Sequence, residues 1–232
     1  TFRRKHSVIA NIPSSDALLG KEMRSLFTVP EGCWQIGIDG SNLEGMVAAE
    51  AAWDFDGGAY YKSLSGDPHT TNAEAYSKAS GQTVTRSGGK NITYGVLYGA
   101  QAPKVAAMLG VSKEVGQRVI DAFWETNYGL RGRKEYLEKF WESTGKKFIL
   151  GFDGRKIWIR SKHSLLNAFL QSGGSIGMDI AGILWHERAL EEGLLDKGVA
   201  RTIYYHKLIV ASYSNVCRKT HLIQGNLSAL AA

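Results

Sequence analysis

Apolar and polar positions along this chain repeat with two different periods, and the switches between them mark the elements. Trp34 and Ile36 alternate with Gln35, Gly37 and Asp39, which predicts a short buried strand ending on a carboxylate. A helix from Leu43 to Trp53 follows, with Glu44 in its opening turn. Upstream, Asn11 to Asp16 is a turn signal, and Ala17 to Phe27 fits a short amphipathic helix ended by Thr28-Val29-Pro30. Gly66-Asp67-Pro68-His69-Thr70 opens another helix, running through Tyr76. From residue 103 to 150 the pattern is helical: Val105, Met108 and Leu109 precede Gly110, then Val115, Val119, Ile120, Phe123 and Trp124, then Tyr136, Leu137, Phe140 and Trp141 recur at helical spacing. That periodicity assigns these aromatics to the core. Residues 148–160 switch to strand-turn-strand around Asp153-Gly154, a hairpin signal. A helix carrying Asn167 and Gln171, a second helix from Ile176 to Glu192, and a strand-turn-strand over 200–210 complete the chain.

The stretch from Arg86 to Ala100 carries the most chemistry. Arg86, Lys90 and Tyr94 stand at i, i+4 and i+8. At about 100° per residue they form one slowly drifting stripe on a helix face. Two cations leading an aromatic ring suit a nucleoside triphosphate, because Arg grips phosphate oxygens bidentately and Lys adds a point charge. An ordinary solvated basic face has the same spacing. Gly88-Gly89 is awkward inside a helix, each Gly costing up to about 1 kcal/mol relative to Ala. The helix is therefore expected to start at or after that pair, or to be soft there, with Arg86 at its N-terminal edge.

Two further pairs are open to two readings. Asp39 and Glu44 can be a helix cap and a first-turn acid, or a pair of functional carboxylates. Asn167 and Gln171 share a helix face; they are either surface amides or donors able to check minor-groove acceptors, which every base pair presents.

Composition narrows the setting. With 232 residues and 44% apolar content the chain can bury a sizeable core, and its formal charge of +6 permits contact with nucleic acid without demonstrating it. Cys33 and Cys217 stand in no metal-ligand or disulfide pattern, which fits a reducing cytoplasm. No apolar run approaches the roughly 18 residues of a membrane span, and Thr1 to His6 lack the apolar stretch of a signal peptide. Without an initiator Met, the chain reads as a piece of something longer.

The strings themselves go further. Arg86-xxx-Lys90-xxx-Tyr94-Gly95-xx-Tyr98-Gly99 resembles the nucleotide-binding fingers helix of family A (DNA polymerase I-like) DNA polymerases, in particular the bacteriophage replicative branch. Asp39-x-Ser41-x-x-Glu44 resembles the first catalytic motif of that family, Gly66-Asp67-x-His69-Thr70 the segment before the fingers, and the string from Gly151 through Asp153-Gly154-Arg155-Lys156, Arg160-Ser161-x-His163 and Asn167 to Gln171-Ser172 the palm. Arg3, His6, Ala10 to Pro13 and Arg24 to Phe27 are similar to the segment where the palm begins.

The resemblance implies an α+β fold: a polymerase palm of antiparallel sheet and helices, with an inserted helical fingers subdomain. Residues 1–53 would be the first part of the palm, 54–147 the fingers and 148–232 the rest of the palm. The implied reaction is template-directed DNA synthesis. Arg86, Lys90 and His69 would hold the incoming triphosphate, with Tyr94 at the nascent base pair and Gly95 leaving space beside the template base. Asp39, with the Gly40 carbonyl, would bind Mg2+ in a two-ion site, and Glu44 would pack against Tyr94 and block a ribose 2′-OH. Asn167 and Gln171 would contact the primer-template minor groove. Arg155, Arg160, Lys162 and His163, and one of Arg3 and Arg4, would contact DNA backbone. The implied partners are primer-template DNA and deoxynucleoside triphosphates, with a processivity factor left open and no membrane. The implied location is the cytoplasm of a bacterium or of a phage's bacterial host.

One motif departs from the family pattern. Its third catalytic motif carries His-Asp-Glu, the Asp being the second metal carboxylate; here His206 is followed by Lys207 and Leu208. Two divalent ions about 3.5–4 Å apart need clustered carboxylates, and a protonated Lys repels them. From Lys197 to the end there is no Asp or Glu, where the chain-wide frequency of 22 acids in 232 residues would place about three. The expectation is that the C-terminus is truncated or translated out of frame just after His206, or deleted across the Asp-Glu pair, and that polymerisation is impaired. The alternative is a natural, catalytically inactive module that binds primer-template and nucleotide.

Overall fold

The computed structural model describes residues 13, 15–28, 33–39, 42–194, 200–204 and 207–213. They form nine α-helices and five strands among the described residues. The chain divides into two compact units, residues 42–174 and the described parts of 3–41 and 175–232.

The first unit is helical apart from one hairpin. Its helices are α2 (Leu43–Asp56), α3 (Ala59–Leu64), α4 (Pro68–Ser80), α5 (Arg86–Leu97), α6 (Ala102–Leu109), α7 (Lys113–Thr126), α8 (Tyr128–Ser143) and the first turns of α9 (Leu165–Glu191). Local chemistry sets the breaks. Gly57, Gly81 and Gly110 end α2, α4 and α6 in the left-handed conformation that glycine adopts without strain. Asp67 and Ser112 cap α4 and α7 through their side chains. Strands β2 (Phe148–Leu150) and β3 (Lys156–Trp158) pair antiparallel around Gly154, whose φ of 77° meets the demand of the turn.

The core of this unit joins Ile92 and Val96 of α5, Val105 of α6, Val119 and Phe123 of α7, Leu137 and Trp141 of α8, and Ile149 of β2. Most of the aromatics expected in the core are there: Phe123 and Trp141 are buried, and Trp124 and Phe140 pack against the cluster. Tyr136 is the exception at 49% exposed; it lies beside Phe55, with the Arg133 guanidinium 5.5 Å from its ring centroid.

A polar network crosses this core. The Thr93 hydroxyl lies 2.9 Å from the Tyr76 hydroxyl and accepts from Asn72 Nδ2 at 3.2 Å, while Asn127 Nδ2 donates to Asn72 Oδ1 at 3.2 Å. It ties α4, α5 and the α7–α8 junction into one register. Burial pushes the Tyr76 phenol well above its ordinary pKa, against the smaller opposing pull of the Thr93 bond, so it stays a hydroxyl. Replacing Thr93 by Val removes the shared partner and leaves buried donors unpaired, a loss of about 1–3 kcal/mol. Thermal unfolding should then fall by about 2–10 °C; an unchanged midpoint would show that the network contributes nothing.

Several boundaries differ from the sequence reading. The helix expected over Ala17–Phe27 is only Gly20–Ser25 (α1), because Leu19 takes a left-handed conformation (φ 59°) that breaks the helix before it. Gly88 and Gly89 lie inside the first turn of α5 rather than before it: Thr85 caps the helix, accepting from the Gly88 N–H at 3.1 Å. The two helices expected around 165–175 and 176–192 are one helix of 27 residues, α9. Gly173, within α9, is a packing site: a Cβ there would lie 2.7 Å from Val47 Cγ1 and from the Phe152 ring.

In the second unit, β1 (Cys33–Asp39), β5 (Lys207–Tyr213) and β4 (Ala200–Tyr204) form an antiparallel sheet in the order β1-β5-β4. The register sets Asp39 directly opposite Lys207 and Ile38 opposite Leu208.

Candidate functional site

The site in the first unit is built where α4 and α5 begin. Asp67 precedes α4 and caps it: one carboxylate oxygen accepts from the Thr70 N–H at 3.4 Å, the other from the Thr70 hydroxyl at 2.6 Å. That second oxygen also accepts from Arg86 Nε at 2.6 Å. Arg86 is the first residue of α5, so the pair joins two helix N-termini, whose free N–H groups and dipoles favour anions. The Arg86 hydrogen bond, then that from Thr70, holds the Asp67 carboxyl well below the usual carboxylate range.

His69 follows in the first turn of α4, its ring centroid 5.8 Å from that of Tyr94. Its Nδ1 is buried and makes no hydrogen bond. Burial lowers its pKa, the Lys90 and Arg86 cations lower it further, and Asp67 opposes them. At neutral pH the ring is uncharged. Tyr94 is held above the ordinary phenol range by burial and then by Glu44, and Tyr60, mostly by burial, is pushed up to about 12. Glu44, Tyr60, His69, Asn72, Thr93 and Tyr94 line one cleft.

The stripe runs one residue further than the three positions singled out in the sequence. Tyr98, one turn beyond Tyr94, has its ring centroid 6.1 Å from that of Tyr94, and its hydroxyl donates to Glu44. Gln171 Nε2 donates to the other Glu44 oxygen at 3.0 Å. Glu44 lines the same cleft as Tyr94, and its hydrogen bonds tie it to Tyr98 and Gln171 and so join α2, α5 and α9. Sequence reasoning missed Tyr98 and Asp67. The signals were present: Tyr98 continues the four-residue spacing, and Asp67-Pro68 is a cap followed by a first-turn proline.

The glycines of α5 divide into two kinds. A Cβ at Gly89 would lie 2.7 Å from the Ala73 Cβ and 2.9 Å from the His69 carbonyl oxygen, so α4 itself requires glycine there. At Gly95 a Cβ would meet only Ala100 and Met108, at 3.7 and 3.9 Å, which is ordinary contact.

The remaining positions spread along the hairpin and α9. Asn167 lies one turn before Gln171 on α9, with a buried Oδ1 that makes no hydrogen bond. Arg155 pairs with Asp153. Lys162 bonds Glu138 at 3.1 Å and lies 3.9 Å from Glu142, so α8 holds it. Arg160 and His163 are exposed, and the His163 carbonyl sits against Gly99, where a Cβ would be 2.5 Å from it.

Asp39 is in the second unit, at the end of β1. Arg3, Arg4, His6, Gly40 and His206 lie outside the described residues. Among the described residues no group of three or more His, Cys, Asp or Glu side chains could hold a metal ion. No described helix is long and apolar enough to cross a membrane.

The model of DNA polymerase family A matches residues 3–171 of this chain. The DNA-directed DNA polymerases of Enterobacteria phage T3 and Escherichia phage T7 are each 30% identical to it over 217 residues, covering 84% of this chain and 30% of theirs. The chain thus spans under a third of the length of these relatives. The DNA-directed DNA polymerase of Escherichia phage Phieco32 is 24% identical over 266 residues, covering 78% of this chain and 42% of the relative. Among solved structures, the POL domain of Pol1 from M. smegmatis, in complex with DNA primer-template and dNTP, superposes with a TM-score of 0.73 at 20% identity, covering 91% of this chain and 39% of that one. At that identity the likeness concerns the fold, which is the expected α+β.

Proposed function

This chain belongs to DNA polymerase family A, and from that premise we propose that it is the palm-and-fingers part of an enzyme of template-directed DNA synthesis. The observation that carries the proposal is that His69, in the first turn of α4, has the Tyr94 ring 5.8 Å away and lies under the influence of the Lys90 and Arg86 cations of α5. In this reading residues 1–53 and 148–232 are palm and 54–147 are fingers. Arg86 and Lys90 take the triphosphate charge, His69 adds a hydrogen bond, and the Tyr94 ring lies at the new base pair. Glu44, steadied by Tyr98 and Gln171, closes the side of the cleft where a ribose 2′-OH would sit. Gly95 fits a role toward template, since the protein's own packing leaves room for a side chain there.

Asn167 and Gln171 serve as minor-groove donors, with Arg155, Arg160 and His163 near the DNA backbone. The partners are primer-template DNA and deoxynucleoside triphosphates, a processivity factor is a further candidate, and the location is the cytoplasm of a phage's bacterial host or of a bacterium. The catalysis proposed is positioning and electrostatic rather than covalent.

Family A polymerases generally use Mg2+. The residues described here do not fit a two-ion site: Asp39 is matched across the sheet by Lys207, a cation where the family pattern has an Asp. The same observation favours a second reading, in which the chain binds nucleotide and primer-template but does not join them.

A binding measurement tests the nucleotide site independently of catalysis. Burial and then the Lys90 and Arg86 charges keep His69 neutral; a triphosphate offsets the two charges, so its arrival raises the His69 pKa and the complex takes up protons. Calorimetric titration of the chain with a Mg2+-deoxynucleoside triphosphate near pH 6.5, in two buffers of different ionisation enthalpy, should show net uptake that His69→Asn reduces. Identical proton exchange in the two chains would remove His69 from the site, and no binding would remove the site.

A further inference from the structure

We propose that Asp67 is a positioning residue of the triphosphate site: its carboxylate, fixed to the start of α4 by Thr70, holds the Arg86 guanidinium by Nε and leaves a terminal NH2 group for phosphate. The inference rests on the nucleotide reading above and adds a residue that makes no contact with the ligand.

The geometry assigns the two carboxylate oxygens different work. One accepts from the Thr70 N–H at 3.4 Å, which is the helix cap. The other, accepting from the Thr70 hydroxyl and from Arg86 Nε at 2.6 Å each, is a fixed acceptor aimed at α5. Capping α4 requires only the first, and Ser or Asn would supply it. The Arg86 bond adds little stability, because the two side chains are 60% and 40% exposed and such pairs are screened by water. What it does supply is orientation. An unpaired Arg samples many rotamers and must be ordered when a ligand arrives, whereas a guanidinium already held at Nε gives up less freedom. An Nε bond occupies one side of the guanidinium plane, so at least one terminal NH2 remains for a phosphate oxygen.

A double-mutant cycle tests this. Asp67→Ser keeps a good helix cap but is too short to reach Arg86; Arg86→Ala removes the held group. Binding of a Mg2+-deoxynucleoside triphosphate to the full chain is measured by calorimetry, with thermal unfolding alongside. Asp67→Ser should raise the dissociation constant about tenfold in the unsubstituted chain and less than about twofold in the Arg86→Ala chain, with little change in melting temperature. An equal loss in both backgrounds would mean that Asp67 acts through α4 and not through Arg86. Unchanged or tighter binding would mean that it does not prepare Arg86, or competes with phosphate for it. Either result overturns the proposal while leaving the nucleotide site in place, provided that Arg86→Ala itself weakens binding. If the unsubstituted chain binds no triphosphate, the site and the inference fall together.

Discussion

Exchanging Lys207 for Asp and Leu208 for Glu is expected to raise Mg2+-dependent primer extension by about a thousandfold or more over the unsubstituted chain. The size follows from charge and position. The sheet register places residue 207 opposite Asp39, and facing Cα atoms of an antiparallel pair are about 4.5–5.5 Å apart. A cation there opposes any divalent ion drawn to Asp39, and the exchange makes the local charge more negative by three units, two at 207 and one at 208, while adding carboxylates. In an antiparallel pair like charges at facing positions are destabilising, where opposite charges contribute about 0.2–1 kcal/mol. The restored chain should therefore melt slightly lower than the original without Mg2+ and recover when the ion is added. Extension assays on the two chains with one primer-template decide the matter. Robust extension by the unsubstituted chain would show that Lys207 is no obstacle. Failure of both would show that the pair at 207–208 is not the sole defect.

Gly89→Val is expected to cost about 3 kcal/mol of stability, the upper end of the range for overpacking a close-packed interior, and to weaken triphosphate binding along with it. The first added carbon would already stand 2.7 Å from Ala73 Cβ and 2.9 Å from a backbone oxygen of α4, and backbone cannot move aside as a flexible side chain can. The two helices must part, and the residues that would hold phosphate sit on both. Gly88→Ala serves as the control. Its nearest contacts are at 3.4 Å, and Ala gains up to about 1 kcal/mol in helix propensity. Thermal unfolding and nucleotide affinity of the two variants should move in opposite directions. If Gly89→Val melts with the unsubstituted chain, the α4–α5 contact is not tight.

The α5 helix shows how far the sequence reaches. Its stripe of Arg86, Lys90 and Tyr94 and the place of Arg86 at its edge were legible because periodicity states which way a side chain points on its own element. The Asp39-x-Ser41-x-x-Glu44 and fingers strings carried the family for the same kind of reason: they lie within single elements or across one turn.

What tertiary structure decided are the relations between elements. Gly89 reads as a weak spot in the sequence and is a packing requirement in the fold, because the atoms that exclude a side chain belong to residues 69 and 73. The bond from Tyr98 to Glu44 spans 54 positions, and that from Gln171 to Glu44 spans 127. The two helices expected within 165–192 are one, and its Gly173 admits Val47 and Phe152 against the backbone, a closeness that no pattern within α9 states. The sequence by itself determined the family, the strand ending on Asp39, and the cationic face of α5. The fold alone decided that Asp67 holds Arg86, that Tyr98 and Gln171 hold Glu44, and that Lys207 faces Asp39. A residue's direction on a helix or strand follows from local backbone geometry, but its partner is fixed only when distant elements pack.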